Sequence, residues 1–226
     1  MSWQPAIFNP LAFDSLSESI AGELTKAPMT PLMTLPPFDG PGIYALYYSG
    51  GFRYYAPLSA ANKREPGSWP IYIGKAEAST RKGIGPRAPD DYSGNALYRR
   101  LKKHTGSIES SSNLDVADFH VRALVLAYVW VPMAETSAIA MHRPLWNTLV
   151  DGFGNHDPGR GRYEGMRSRW DTLHPGRRWA EKLRPNVYTA RQIGEEALAW
   201  LVQQAPEYRI RSEEHTSELQ SLVDIS

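Results

Sequence analysis

The sequence predicts an α+β fold: a small central antiparallel or mixed β-sheet flanked by helices, with an inserted hairpin or loop and an N-terminal arm. Three features lead to this. Two tyrosine-bearing runs, Gly42-Ile43-Tyr44 and Tyr72-Ile73-Gly74, have strand composition. A third apolar run, Phe119 to Trp130, is rich in β-branched positions and reads as a central strand. Helical spacing takes over after Asn95, Pro132 and Thr189.

In chain order, residues 1–40 read as an arm. Phe13, Leu16, Ile20 and Leu24 recur at helical spacing, and Pro28, Pro31, Pro36 and Pro37 then impose an extended strap. Pro41-Gly42 turns the chain into the strand Ile43 to Tyr48. Ser49-Gly50-Gly51 followed by Phe52 to Ala56 predicts a hairpin, and residues 59–69 a loop. Trp69 to Ile73 returns as a strand. Residues 76–94, rich in Gly, Pro and charge, predict a surface loop. Leu97 and Leu101 mark the buried stripe of a helix that Asn95 is placed to cap. Pro132 opens a helix carrying Glu135, Ile139 and His142, and Pro144 ends or bends it. Residues 151–189 lack periodicity and are rich in glycine and arginine. Ile193, Ala197 and Leu201 give the last helix its apolar side. From Arg211 onward the sequence resembles the in-frame translation of a sequencing-library adapter. The expected organisation is therefore an arm (1–40), a working domain (41–210) and a non-native tail (211–226).

The totals exclude some functions. The chain has 226 residues, 42% of them apolar, enough for one hydrophobic core. It has no cysteine, which excludes a disulfide scaffold, thiolate metal ligands and a cysteine nucleophile. No apolar run reaches membrane-spanning length, and no basic-then-apolar leader opens the chain. A cytoplasmic, bacterial location is the expectation. A net charge of +1 decides nothing alone; the distribution of basic groups matters more.

The candidate chemistry lies in one ordered set: Tyr44, Tyr72, Arg100, His104, Glu135 and Asn147. Arg100 and His104 are four residues apart and share a helix face. A guanidinium pairs rigidly with phosphate oxygens, and an imidazole moves protons near neutral pH. A lone carboxylate with phosphate oxygens suffices for magnesium, which keeps most of its waters. Each residue also has an ordinary reading: the tyrosines as core, Arg100 with Arg99, Lys102 and Lys103 as a solvated basic face, Glu135 as a helix-start acid, Asn147 as a cap. The combination favours chemistry.

These motifs resemble the GIY-YIG nuclease superfamily. The stretches Pro41 to Pro57, Leu97 to His104, Gly152 to Gly159 and Trp170 to Arg177 are similar to its type II restriction endonucleases that cut CCGCGG. The resemblance implies metal-assisted attack of water on a DNA phosphodiester. It implies Tyr44 as the water-activating residue, Tyr72 as its aide, Arg100 and His104 on the phosphate, and Glu135 as the ligand of Mg2+, with Mn2+ as a substitute. Asn147 would brace the Glu135 segment against the tyrosine strands. It further implies double-stranded DNA as partner, a homodimer on a palindrome, and a companion methyltransferase with no stable complex. DNA contacts are expected from Arg53, Lys63, Arg64, Lys75, Arg160, Arg162, Arg167 and Arg169. The alternatives are a structure-selective or repair nuclease, a non-catalytic DNA-binding protein on the same fold, and a scaffold whose aromatics are purely structural.

Overall fold

The computed structural model describes residues 13–77, 92–159 and 161–205. Residues 1–12, most of the predicted 76–94 loop and the predicted foreign tail lie outside them. Helix α1 (Phe13–Lys26) leads into β1 (Thr30–Pro31). Then come β2 (Gly42–Tyr48), α2 (Ala56–Arg64), β3 (Pro70–Ala76), α3 (Ala96–Ser110) and β4 (Phe119–Val125). Helices α4 (Val131–His142), α5 (Leu145–Thr148) and α6 (Arg169–Leu173) precede the last helix, α7 (190–205). Among the described residues no helix is long and apolar enough to cross a membrane.

The sheet order is β1-β4-β2-β3, and every pairing is antiparallel. Both faces of β2 are buried, so its alternating side chains build two cores. Tyr44, Leu46 and Tyr48 join the larger one with Leu97, Leu101, Phe119, Trp146 and Trp170. Ile43, Ala45 and Tyr47 face the other way, onto Ile20 and Leu24 of α1 and Val131, Ala134 and Ala138 of α4. A register shift between Leu46 and Tyr47 places one extra β3 residue opposite β2. The bulge re-aims β3, and the sequence neighbours Ile71 and Tyr72 both enter the larger core.

The predicted hairpin after β2 does not form. Phe52 to Ala56 becomes a 3-10 turn (Arg53–Tyr55) running straight into α2, with Pro57 near its start. Burying Tyr54, Tyr55 and Leu58 in the larger core outweighs their strand propensity. β2 pairs instead with β3 on one side and β4 on the other, and α2 is the insertion between β2 and β3. Asn62 ties this insertion shut. Its amide donates to Tyr48 O (3.0 Å) and Trp69 O (2.8 Å), and its oxygen accepts from Trp69 N (2.9 Å). Asn62 is thus a buried staple. Two smaller expectations change as well. Asn95 sits at the start of α3 but its side chain makes no cap. The run 119–130 is a strand only to Val125, after which a turn leads into α4.

A buried polar chain joins α2's approach to α5 and α6. Trp146 Nε1 donates to Tyr55 Oη (2.9 Å), which lies 2.6 Å from His174 Nε2. His174 Nδ1 lies 2.7 Å from Asn113 Oδ1, and Asn113 Nδ2 donates to Leu173 O (2.9 Å). One arrangement satisfies every group: Tyr55 donates to a neutral His174, which donates through Nδ1–H to Asn113. Burial agrees, pushing His174 down to about 3 from 6.5.

This sets a pH dependence. The folded value is below the unfolded one, so the folded state holds fewer protons between them. Stability is full above pH 6.5 and falls as pH drops from there toward 3. Urea titrations are expected to show the fall already between 6.5 and about 5, before most carboxylates titrate. His174→Gln should reduce the slope of that segment, leaving the part that buried His104 contributes. Tyr55→Phe strands the Trp146 N–H and His174 Nε2, and should cost about 1–3 kcal/mol at pH 8 in the same assay.

Candidate active site

Tyr44 lies mid-strand on β2 with Gly74 of β3 as its register partner. A Cβ at Gly74 would sit 2.5 Å from Tyr44 Oη and 2.9 Å from Tyr72 Cε1. Glycine is required there because the phenol lies across the strand. Gly42 has a comparable reason, since a Cβ there would collide with the Leu124 carbonyl of β4. Both motif glycines are therefore close-approach positions between strands.

Helix α3 supplies the next groups. Its buried stripe is Leu97, Leu101, His104, Thr105 and Ile108, so His104 points into the core while Arg100 lies at the stripe's edge. His104 Nε2 is in short hydrogen-bond contact with Tyr44 Oη. The ring centroid of Tyr72 is 6.1 Å from that of Tyr44 and 5.3 Å from that of His104. Burial drives the Tyr44 phenol well above its usual range, with Tyr72 adding to the effect and Arg100 opposing it. Burial drives His104 well below 6.5, and Arg100 pushes the same way. A neutral phenol therefore donates to a neutral imidazole. Arg100 does not make Tyr44 a resting phenolate, because desolvation outweighs it.

Glu135 stands on the first turns of α4, half-buried, 3.5 Å from Lys75 Nζ. Lys75 also meets Glu77 at 3.1 Å. Burial raises the Glu135 carboxyl, and Lys75 works against that rise. Both phenols feel the Glu135 charge, and Glu135 feels Arg100, so the acid shares one electrostatic site with the phenols and the guanidinium. Asn147 on α5 takes the free edge of β3, accepting from Ile73 N (2.8 Å) and donating to Ile73 O (2.8 Å). It completes the strand's hydrogen bonding between the two halves of the second motif.

The segment 152–156 forms a wall that the sequence did not flag as part of this site. Phe153 stacks on His104, with centroids 4.3 Å apart and planes at 17°. The Gly154 carbonyl accepts from Arg100 (3.1 Å), and His156 Nε2 lies 2.7 Å from Arg100 Nη1. A Cβ at Gly154 would press on Tyr72 Oη and that guanidinium. Arg177 holds the wall. Its buried guanidinium pairs with buried Asp171 (2.6 Å) and donates to the carbonyls of Phe153 (3.1 Å), Asn155 (3.3 Å) and Gly152 (2.9 Å). It lies over the Trp170 and Trp179 rings, at 4.5 and 4.8 Å. The available signal was the clustering of aromatics and glycines between 152 and 177, among the arginines that suggest DNA contact.

The expected DNA contacts scatter. Lys63, Arg64 and Arg162 are exposed, and Arg160 lies outside the described residues. Arg53 is exposed but folds onto Tyr54. Lys75 is paired with acids. Arg167 donates to Ala180 O (3.1 Å) and Glu181 O (3.3 Å), and Arg169 is paired with Glu196. Those two brace the loop.

Among the described residues no group of three or more His, Asp or Glu converges to hold a metal. Glu135 supplies one carboxylate, now facing the Lys75 ammonium, of the kind a hard cation that keeps its waters can use. The family model of the Eco29kI GIY-YIG domain matches residues 36–201. A comparison with curated proteins gives no match.

Two substitutions test the wall. Asp171→Asn or Arg177→Ala leaves a buried charge without its partner and should cost about 3–5 kcal/mol in denaturant unfolding. Gly74→Ala should lower stability and also disturb the Tyr44 hydrogen bond, read as a change in tyrosine absorbance or in the His104 ring shifts.

Proposed function

The chain belongs to the Eco29kI GIY-YIG family of nucleases, and from that premise we propose a type II restriction endonuclease. It hydrolyses double-stranded DNA at a GC-rich palindrome, CCGCGG by the resemblance of its motifs, working as a homodimer with magnesium. One observation carries this reading. Tyr44, Tyr72, Arg100 and His104 cluster, the Glu135 carboxylate acts electrostatically on both phenols, and the Arg100 Nε has no hydrogen-bond partner. A guanidinium donor left unmatched beside the two phenols suits an incoming phosphate oxygen.

The raised phenol shapes the mechanism. Tyr44 does not wait as a phenolate. As water attacks phosphorus, its proton passes to Tyr44 Oη while the Tyr44 proton passes to His104 Nε2. The water oxygen–phosphorus bond forms and the bond from phosphorus to the 3′ oxygen breaks; that oxygen takes up a proton from solvent, His104 afterwards gives up the proton it gained, and no free phenolate accumulates. Arg100 holds the phosphate in line and balances its growing charge. Glu135 would hold the divalent ion, which when bound offsets charge on the phosphate and the leaving oxygen. Tyr72 and Asn147 keep the strand and the reacting groups in register.

Tyr44→Phe should lower turnover about 10²–10⁴-fold, and Glu135→Ala should abolish cleavage while leaving DNA binding intact. Because His104 works as a neutral base and is held below 6.5, the acid limb of the cleavage profile should begin below pH 6.5. Incubating mixed plasmid DNA with magnesium and sequencing the ends reads the target. One unique end motif supports the reading, whereas preferred cutting of branched or damaged duplex would replace it with a repair nuclease.

A further inference from the structure

Beside the site, α3 and the wall enclose an open groove of about 730 Å³. Its lining includes Lys103, Ser107, His156, Arg178 and Trp179. Lys103 and Arg178 are exposed, and Arg177 is buried behind them. The lining contains one carboxylate, Asp157, and it is engaged: Oδ1 accepts from Gly159 N and from Tyr163 Oη, each at 2.8 Å. The groove therefore presents cations and hydroxyls to solvent, a lining for an anion rather than an apolar ligand.

Its position narrows the class of anion. His156 belongs to both places, lining the groove and touching Arg100 Nη1 at 2.7 Å. Ser107 lies two turns beyond Arg100 on α3, so the groove follows about 10 Å of helix away from the phosphate-holding guanidinium. Phosphates of one DNA strand recur every ~3.4 Å of duplex axis, so a strand anchored at Arg100 brings further phosphates over this stretch. Trp179 adds a half-buried apolar wall of the kind a sugar packs on, its ring already fixed against Arg177.

The geometry points to this groove as a backbone-tracking subsite, in which Lys103 and Arg178 take the phosphates flanking the scissile one on the same strand. This rests on the nuclease reading of the neighbouring site. It moves the phosphate contacts away from Arg167 and Arg169, which already brace the loop, to two cations outside the set expected from sequence. These contacts position the strand and carry no base preference.

The test measures duplex affinity against salt in a Glu135→Ala background, alongside cleavage by the otherwise native protein. Lys103→Gln and Arg178→Gln should each flatten the salt slope by about 0.9. They should weaken target and unrelated duplexes alike, by tenfold or more together, with turnover at saturating DNA within about threefold of the parent. Lys26→Gln on α1 removes an equal charge and should leave the slope unchanged. Unaltered slopes for Lys103→Gln and Arg178→Gln, or an equal effect from Lys26→Gln, would sink the groove while cleavage by the parent kept the nuclease reading. A parent that neither binds nor cuts any duplex would instead remove that reading. Both positions are exposed, and an unchanged melting temperature confirms that folding is not the variable.

Discussion

A buried guanidinium organises the site without standing in it. Arg177 sits between two tryptophans, answers the buried charge of Asp171, and gathers three carbonyls of one loop. Burying a charge is costly unless it is paired and its donors are matched, and here both conditions hold. Without it the Phe153 and Asn155 carbonyls would lose this donor. Because it is held, Phe153 lies flat on His104 and the Gly154 carbonyl meets Arg100. The phenol, imidazole and guanidinium are thereby fixed from the side opposite the sheet.

The dry wall has an electrostatic consequence. Excluding water from Tyr44 and His104 opposes charge on both, so the pair rests neutral. A site of this kind favours moving protons along an existing hydrogen bond over storing a charged base. Partial desolvation of Arg100 likewise strengthens whatever it does for a phosphate. Catalytic power and the reluctance of the phenol to ionise then share one cause, the depth of the site.

Charge is also divided by role. Buried or braced arginines hold the architecture, while cations at the groove's open side remain available to a ligand. Composition cannot separate them. A net charge near zero hides a basic path running from Arg100 past His156 to Arg178. The glycine-rich loop belongs to both roles, since its inner side supports the reacting groups and its outer side lines the groove.

Much of the fold was legible because periodicity reports burial. The stripes Leu97–Leu101 and Ile193–Ala197–Leu201 became buried helix faces, and the two tyrosine runs became paired strands. The insertion departs from its local signal: Phe52 to Ala56 has strand propensity, whereas tertiary burial of Tyr54 and Tyr55 makes it helical. By itself the sequence determined the α+β class and the order of the candidate groups, since both rest on local patterns of residue type. Only the tertiary structure decided that Phe153, His156, Asp171 and Arg177 complete the site and that Tyr44 stays protonated. Those outcomes depend on contacts between distant segments and on water exclusion, and neither has a local signature in the chain.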